Sequence, residues 1–267
     1  MSEITFITGC WDIGRGKLDN TSSKHDWNRS FEIYTNRLEE LLKTGLTFIV
    51  FGDLTLKKIV DKYSNCKFFH FSQENLYKTP YFNRIENIRT SKNWYDQPTA
   101  QWLKSSPQAM LQLYVPVVIN KLFCIKKAIE INLFNSSRFY WIDAGITNTH
   151  NTQVIKDMVP KLFKYDKFIF LSLLYRSNTE VHGFLREGFH RHCNMPFVDR
   201  IMKGFFFGGK VDKFDEIIET YHNIINETLD EKYLGCDETY FTIMVSKRPE
   251  LFDIVNINNC LNTMLVL

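Results

Sequence analysis

The chain lacks several things that would have settled its class at once. None of its six cysteines forms a CxxC pair, so neither a zinc ribbon nor a thioredoxin-type redox pair is spelled out. Scattered thiols fit a reducing compartment, and a start that enters a strand without a basic, apolar leader fits a cytoplasmic protein. No apolar run reaches the roughly 18 to 20 residues that span a bilayer, which leaves peripheral contact as the available membrane role. A net charge of +3, with no Lys/Arg cluster, argues against a nucleic-acid partner. Internal repeats and low-complexity tracts are absent too.

What is present is apolar and aromatic. Hydrophobic residues make up 44% of the 267, aromatics 15%, with 23 Phe, 12 Tyr and 5 Trp. A chain of this length and composition buries a sizeable core, so disorder is excluded.

The order of elements points to an α/β fold. Ile4 to Gly9 reads as a strand that breaks into the glycine-punctuated loop Cys10-Trp11-Asp12-Ile13-Gly14-Arg15-Gly16. Phe31 to Leu42 has helical spacing, and Leu46 to Phe51 is a second strand ending at Gly52-Asp53, a βαβ opening. A short helix over Leu54 to Tyr63 and a strand over Lys67 to Phe71 follow. Residues 75–106, with Tyr81, Trp94, Tyr95 and Trp102, read as a polar-aromatic insertion. Met110 to Ile131 predicts a long helix with Pro116 as kink or start. Later come a helix over Val154 to Phe163, a strand over Lys167 to Ser172 and a short strand Phe205 to Phe207 stopping at Gly208-Gly209. Helices over Val211 to Leu229 and Gly235 to Val245, then a strand Phe252 to Ile257, complete the chain. The sum is a mixed, mostly parallel sheet flanked by helices in a single domain over 1–267, with its ligand crevice at the carboxyl ends of the strands.

Phe139-Tyr140-Trp141-Ile142-Asp143-Ala144-Gly145-Ile146 is the most telling stretch. An apolar strand that delivers one carboxylate to a sheet edge needs water, a metal or a ligand to meet it. Small residues after it let a ligand approach the backbone. Several other segments carry chemistry beside a plainer structural explanation. The Gly9 to Gly16 loop offers backbone N–H groups, Asp12 and the planar fork of Arg15 to a phosphate, or is an ordinary turn. Asp53 contacts a ligand or caps the next helix. Gly208-Gly209 is a backbone platform for a sugar, or a strand end. Asp237-Glu238 opens a helix, where one acid suits the helix dipole and the other is free to serve as a base or orient a hydroxyl. His190-Arg191-His192-Cys193 lacks the paired spacing of a zinc site and reads as a polar segment near an anionic ligand.

The Trp11-Asp12-Ile13-Gly14-Arg15 loop and the Trp141 to Ile146 run, preceded by Asn132-Leu133-Phe134, resemble the HtrL/YibB family, and the order of motifs resembles glycosyltransferases of the GT-A fold. The resemblance covers about residues 4 to 245. It implies a transferase moving a sugar from a nucleotide-sugar donor, a UDP-sugar in the first instance, to a glycan or glycoconjugate acceptor. It places Thr8, Gly9, Asp12, Arg15 and Asp53 on the nucleotide, Asp143 and Gly145 on the donor ribose, sugar or metal, Gly208 and Gly209 beside the sugar, and Asp237 or Glu238 at the acceptor. It also implies a divalent cation, Mn²⁺ or Mg²⁺, on a DxD motif. Only the first acid of that motif is here, as Asp143, and Gly145 stands in the second place. Without a metal, Arg15 and the loop amides, with Lys92 or Arg176, must neutralise the leaving diphosphate. A carbohydrate-binding or scaffolding module of the same fold, and a nucleotide-sugar hydrolase, are the alternatives.

Overall fold

A computed structural model describes residues 3–18, 27–193, 198–259 and 267. Its strands are β1 (Ile4–Cys10), β2 (Phe48–Gly52), β3 (Cys66–His70), β4 (Arg138–Ile142), β5 (Phe168–Leu174), β6 (Glu180–Val181), β7 (Phe184–Leu185), β8 (Arg200–Lys210) and β9 (Phe252–Ile257). Seven form one sheet in the order β3-β2-β1-β4-β8-β5-β9, and β6-β7 is a separate hairpin. All pairings in the large sheet are parallel except those that β8 makes with β4 and β5. This is the expected α/β architecture, a mixed and mostly parallel sheet between helical layers.

The strands are continuous apolar runs because both faces are covered. Every residue of β2 and β4 is buried, and alternation along β4 divides the core in two. Phe139 and Trp141 enter a cluster roofed by helices α2 (Lys121–Ile131), α3 (Phe214–Asp230) and α4 (Asp237–Lys247). Tyr140 and Ile142 enter the opposite cluster with Leu38, Leu41 and Leu42 of α1 (Phe31–Leu42). Phe207 lies between these rings, 4.7 Å from Phe241 and 5.5 Å from Phe170 between centroids.

Three sequence expectations change. The 110–131 helix is divided: Pro116 lies in the first turn of Tyr114–Ile119, where a missing N–H costs nothing, and α2 starts at Lys121. The Leu54 to Tyr63 helix is a 3₁₀ turn followed by the short helix Lys57–Val60. Phe205 to Gly209 is not a separate short strand closed by a glycine turn but the second half of the eleven-residue β8, with both glycines still paired in the sheet. Gly208 and Gly209 therefore pair with Tyr140 and Phe139, at the end of β4 remote from Asp143. A Cβ at Gly208, where φ is +148°, would stand 2.2 Å from the Phe139 carbonyl oxygen, and one at Gly209 would stand 2.6 Å from that of Lys167. Close strand packing, not a ligand, explains both glycines.

Residues 75–106 fold into short helices, among them Phe82–Arg89 and Lys92–Tyr95. Tyr81 and Trp94 are core residues, and the Trp94 indole donates to the Leu234 carbonyl at 2.9 Å. Among the described residues no helix is long and apolar enough to cross a membrane. Cys260 lies outside the described residues; the other five cysteines are free and buried.

Candidate functional site

Where β8 runs against its parallel neighbours, its first half meets the carboxyl end of β4. A cleft of about 440 Å³ opens there, within the size range of small-molecule sites. The β1 loop, α1, the turn after β4, the start of β8 and the first turn of α4 all contribute to its lining.

Asp143 follows the last residue of β4. Its N–H extends the ladder by donating to the Phe205 carbonyl at 2.9 Å, and the Trp141 indole N–H holds Oδ1 at 2.6 Å. Beneath it stands Lys121, which is not among the residues read as functional from sequence. The Lys121 ammonium lies 3.0 Å from Asp143 Oδ1 and 2.9 Å from Asp237 Oδ2, and donates to the Gly204 carbonyl at 2.9 Å. Its side chain is 8% exposed. Burial opposes its charge, but Asp143 and then Asp237 outweigh that and hold its pKa above the ordinary lysine value. The Asp237 carboxyl is raised, first by burial and then by Glu238, against the pull of Lys121. It fits because position 204 is glycine: a Cβ there would sit 2.0 Å from Asp237 Oδ2.

Glu238 is held differently. Lys203 Nζ lies 2.5 Å from its Oε2, His182 Nε2 is 2.8 Å from the same oxygen, and the Gly204 N–H donates to Oε1 at 3.3 Å. Burial alone would raise its pKa; Lys203 and His182 reverse that and hold it well below the carboxylate range. His182 arrives through the β6-β7 hairpin. His182 and Gly183 both take positive φ, 51° and 88°, as a two-residue hairpin turn requires. Cys236 also reaches the cleft, but burial keeps its thiol protonated, as it keeps Cys10, whose pKa rises to about 12. Neither is a poised nucleophile. His182, Cys236 and Glu238 bring ligand atoms within 4.8 Å of one another, yet Lys203 already shares the carboxylate.

The opposite wall is built from β1 and α1. Gly9 leaves room for the Trp11 ring, since a Cβ there would stand 2.4 Å from it. Gly14, at φ 81°, turns the chain, and its N–H donates to Asp12 Oδ1 at 3.1 Å. Arg15 is thereby sent to α1, where Nη1 donates to the Tyr34 hydroxyl at 2.7 Å and Nε to the Trp27 carbonyl at 3.1 Å. Arg29 and Arg37 join it at the cleft. Arg37 is braced by the turn after the Asp143 segment, donating to Asn148 Oδ1 at 2.7 Å.

The structure thus gathers Gly9, Asp12, Arg15, Asp143, Gly145, Asp237 and Glu238 around one cleft. Four residues expected there are elsewhere. Gly208 and Gly209 have been placed. Thr8 is fully buried, and Asp53 makes no side-chain cap of the helical turn that follows it but accepts from the Gln73 N–H, twenty residues on, at 3.1 Å. Lys92 and Arg176 are exposed and away from the lining. The His190 to Cys193 segment is also remote: Arg191 pairs with Glu187 and Glu231. Trp94 belongs to a separate cavity with Leu229 and Tyr233. Lys121, His182, Lys203, Gly204, Arg29 and Arg37 are additions. Of these Lys121 had a signal: it shares the buried face of α2 with Cys124, Ile125 and Ala128, where a solvated lysine has no place.

A divalent cation does not fit these residues. Mg²⁺ and Mn²⁺ need several oxygen ligands. The second position of the acidic motif is Gly145, beside the Tyr34 ring. Asp237 is drawn to the same place as Asp143, but the Lys121 ammonium stands between the two, and Glu238 is taken up by Lys203 and His182.

The fold and the site together define an α/β protein with helices on both faces of its sheet and a ligand-sized cleft at the carboxyl edge, acids on one side and arginines on the other. The chain belongs to the HtrL/YibB family, whose model, described as a bacterial protein of unknown function, matches residues 2–260. Protein HtrL of Escherichia coli K12 is 24% identical over 263 residues, covering 95% of this chain and 87% of that protein. Among solved structures, apo mouse xyloside xylosyltransferase 1 is similar with a TM-score of 0.43 and 9% identity, over 95% of this chain and 85% of that one. A 4-diphosphocytidyl-2C-methyl-D-erythritol synthase from Anaerococcus prevotii gives 0.41 and 10%, over 97% and 88%.

Proposed function

We propose that the protein is a nucleotide-sugar-dependent glycosyltransferase, acting in the cytoplasm, with its donor in the cleft at the β4-β8 junction. The observation that carries this reading is the joining of Asp143, Asp237 and Glu238 with Arg15, Arg29 and Arg37 around one ligand-sized space. A nucleotide sugar has a polyanionic middle and a hydroxyl-rich end, and the two sides of the cleft match these halves.

In this reading the β1 loop, through Gly9, Asp12 and Arg15, receives the nucleotide. Asp143, 36% exposed at its side chain, accepts hydrogen bonds from ribose or sugar hydroxyls. Gly145 keeps the approach to that acid free of a side chain. Glu238, kept anionic by Lys203 and His182, accepts a hydrogen bond from the incoming acceptor hydroxyl and orients it. Asp237 lies deeper and sets the position of Lys121 and, through it, of Asp143. A UDP-sugar donor and a glycan or glycoconjugate acceptor belong to the same proposal.

Incubation with a panel of UDP-, GDP- and CMP-sugars and glycan acceptors, with release of nucleotide as the readout, tests it. Asp143→Asn and Glu238→Gln should each lower turnover by about 100-fold, the scale of losing one positioned group. Turnover that needs only water identifies a hydrolase. Donor binding without turnover identifies a binding module. Full activity in both variants moves the chemistry out of this cleft.

A further inference from the structure

We propose that this protein neutralises its donor diphosphate with cations of its own chain in place of a divalent metal: Lys121 fills the cation position between Asp143 and Asp237, and Arg15, Arg29 and Arg37 face the diphosphate from the opposite wall. The inference rests on the donor reading above and deepens it.

The first support is the surroundings of the Lys121 ammonium. Two carboxylate oxygens and the Gly204 carbonyl oxygen lie within 3.0 Å of it, and the Trp141 ring centroid lies 5.8 Å away. An oxygen cage of that kind is what a hard cation would use, and a covalently attached ammonium already fills it. A metal at Asp143 would have to expel a buried charge from two carboxylates. Gly145 offers no acid to compensate.

The second support is what the arginines do not do. Among the described residues none of the three is ion-paired with a carboxylate. Arg15 donates to a phenol and a backbone carbonyl, Arg37 to an amide oxygen, and Arg29 has no side-chain partner there. Elsewhere Arg84, Arg89, Arg191 and Arg248 lie on carboxylates, while Arg138, Arg186 and Arg200 donate to carbonyl and hydroxyl oxygens within the fold; Arg15, Arg29 and Arg37 differ from both groups in lining the cleft. Arg15 and Arg37 are braced by neutral groups, which orient their guanidinium forks and leave their charge for an anion. Three guanidinium groups on one wall of the cleft match the non-bridging oxygens of a diphosphate.

The test is calorimetric titration of the EDTA-treated full chain with UDP, GDP, CDP, ADP and inorganic pyrophosphate, repeated with millimolar Mn²⁺ or Mg²⁺. Affinity should agree within about twofold between the two conditions, while Arg29→Ala and Arg37→Ala each weaken binding about tenfold, as loss of one charge-assisted contact does, with an unchanged thermal midpoint. Lys121→Ala should acquire a Mn²⁺-dependent rise in thermal midpoint that the wild type lacks; an equal rise in the wild type overturns the proposal. Should Lys121→Ala fail to fold, the arginine variants and the metal comparison still decide. Binding that requires Mn²⁺ overturns this inference and leaves the donor reading standing. No binding of any diphosphate under either condition overturns both.

Discussion

On one side of the cleft two ionic clusters, Lys121 with Asp143 and Asp237 and Glu238 with Lys203 and His182, meet through the Gly204 backbone and form one network. On the other, Arg15, Arg29 and Arg37 stand half-buried against neutral oxygens or without a partner among the described residues. Both sides are charged, but the charges serve different ends. The acidic side settles its own electrostatics, which fixes side-chain positions and makes the network part of the fold. The arginine side leaves its electrostatics incomplete until an anion arrives.

That contrast makes stability and ligand affinity respond to different residues. The largest stability effect should come from Lys121→Ala, which leaves the buried Asp237 carboxyl without its cation beside the part-exposed Asp143; loss of one partner from a buried ionic cluster costs about 3 to 5 kcal/mol, read from denaturant unfolding. A loss below about 1 kcal/mol would show that the network contributes little to the fold. Gly204→Ala should cost about 1 to 3 kcal/mol, because its Cβ drives Asp237 from beneath β8. Turnover should fall with it, whereas the strained Gly208→Ala should destabilise without altering donor affinity in the protein that still folds.

A pH series sharpens the comparison further. The Glu238 pKa is depressed in the folded protein, so its stabilisation is present above the ordinary carboxyl value of 4.5 and is lost as pH falls toward the folded value. The stability advantage of the wild type over Glu238→Gln should therefore shrink below about pH 4.5. An advantage independent of pH would break the assignment of Glu238 to a charged network. The smallest stability effect belongs to Arg29→Ala, within about 0.5 kcal/mol of wild type by the same unfolding measurement.

Much of this was legible in the residues and some was not, for reasons that differ by element. β1 and β4 announce themselves because a strand covered on both faces must be apolar almost throughout. Asp143 was visible because it ends such a run. Gly208-Gly209 misled because a glycine pair after Phe205-Phe206-Phe207 looks like a turn; close approach within a sheet asks for the same residue, and only the register with Phe139 and Tyr140 separates the two. Asp237 and Glu238 were legible as a pair, but their division of labour depends on Lys121, 116 residues before Asp237, and Lys203, 35 residues before Glu238. Arg29 and Arg37 carry no local pattern at all. They matter through the turn at Ile146 to Asn148, which packs α1 against the Asp143 segment.

The most direct measurement of the central claim is a crystal structure of the protein soaked with a UDP-sugar in the presence of EDTA. The account predicts a diphosphate within hydrogen-bond distance of Arg29 and Arg37, a sugar beside Asp143, and Lys121 still between its two acids. A nucleotide bound outside the β4-β8 cleft, or no bound nucleotide at saturating concentration, would contradict it.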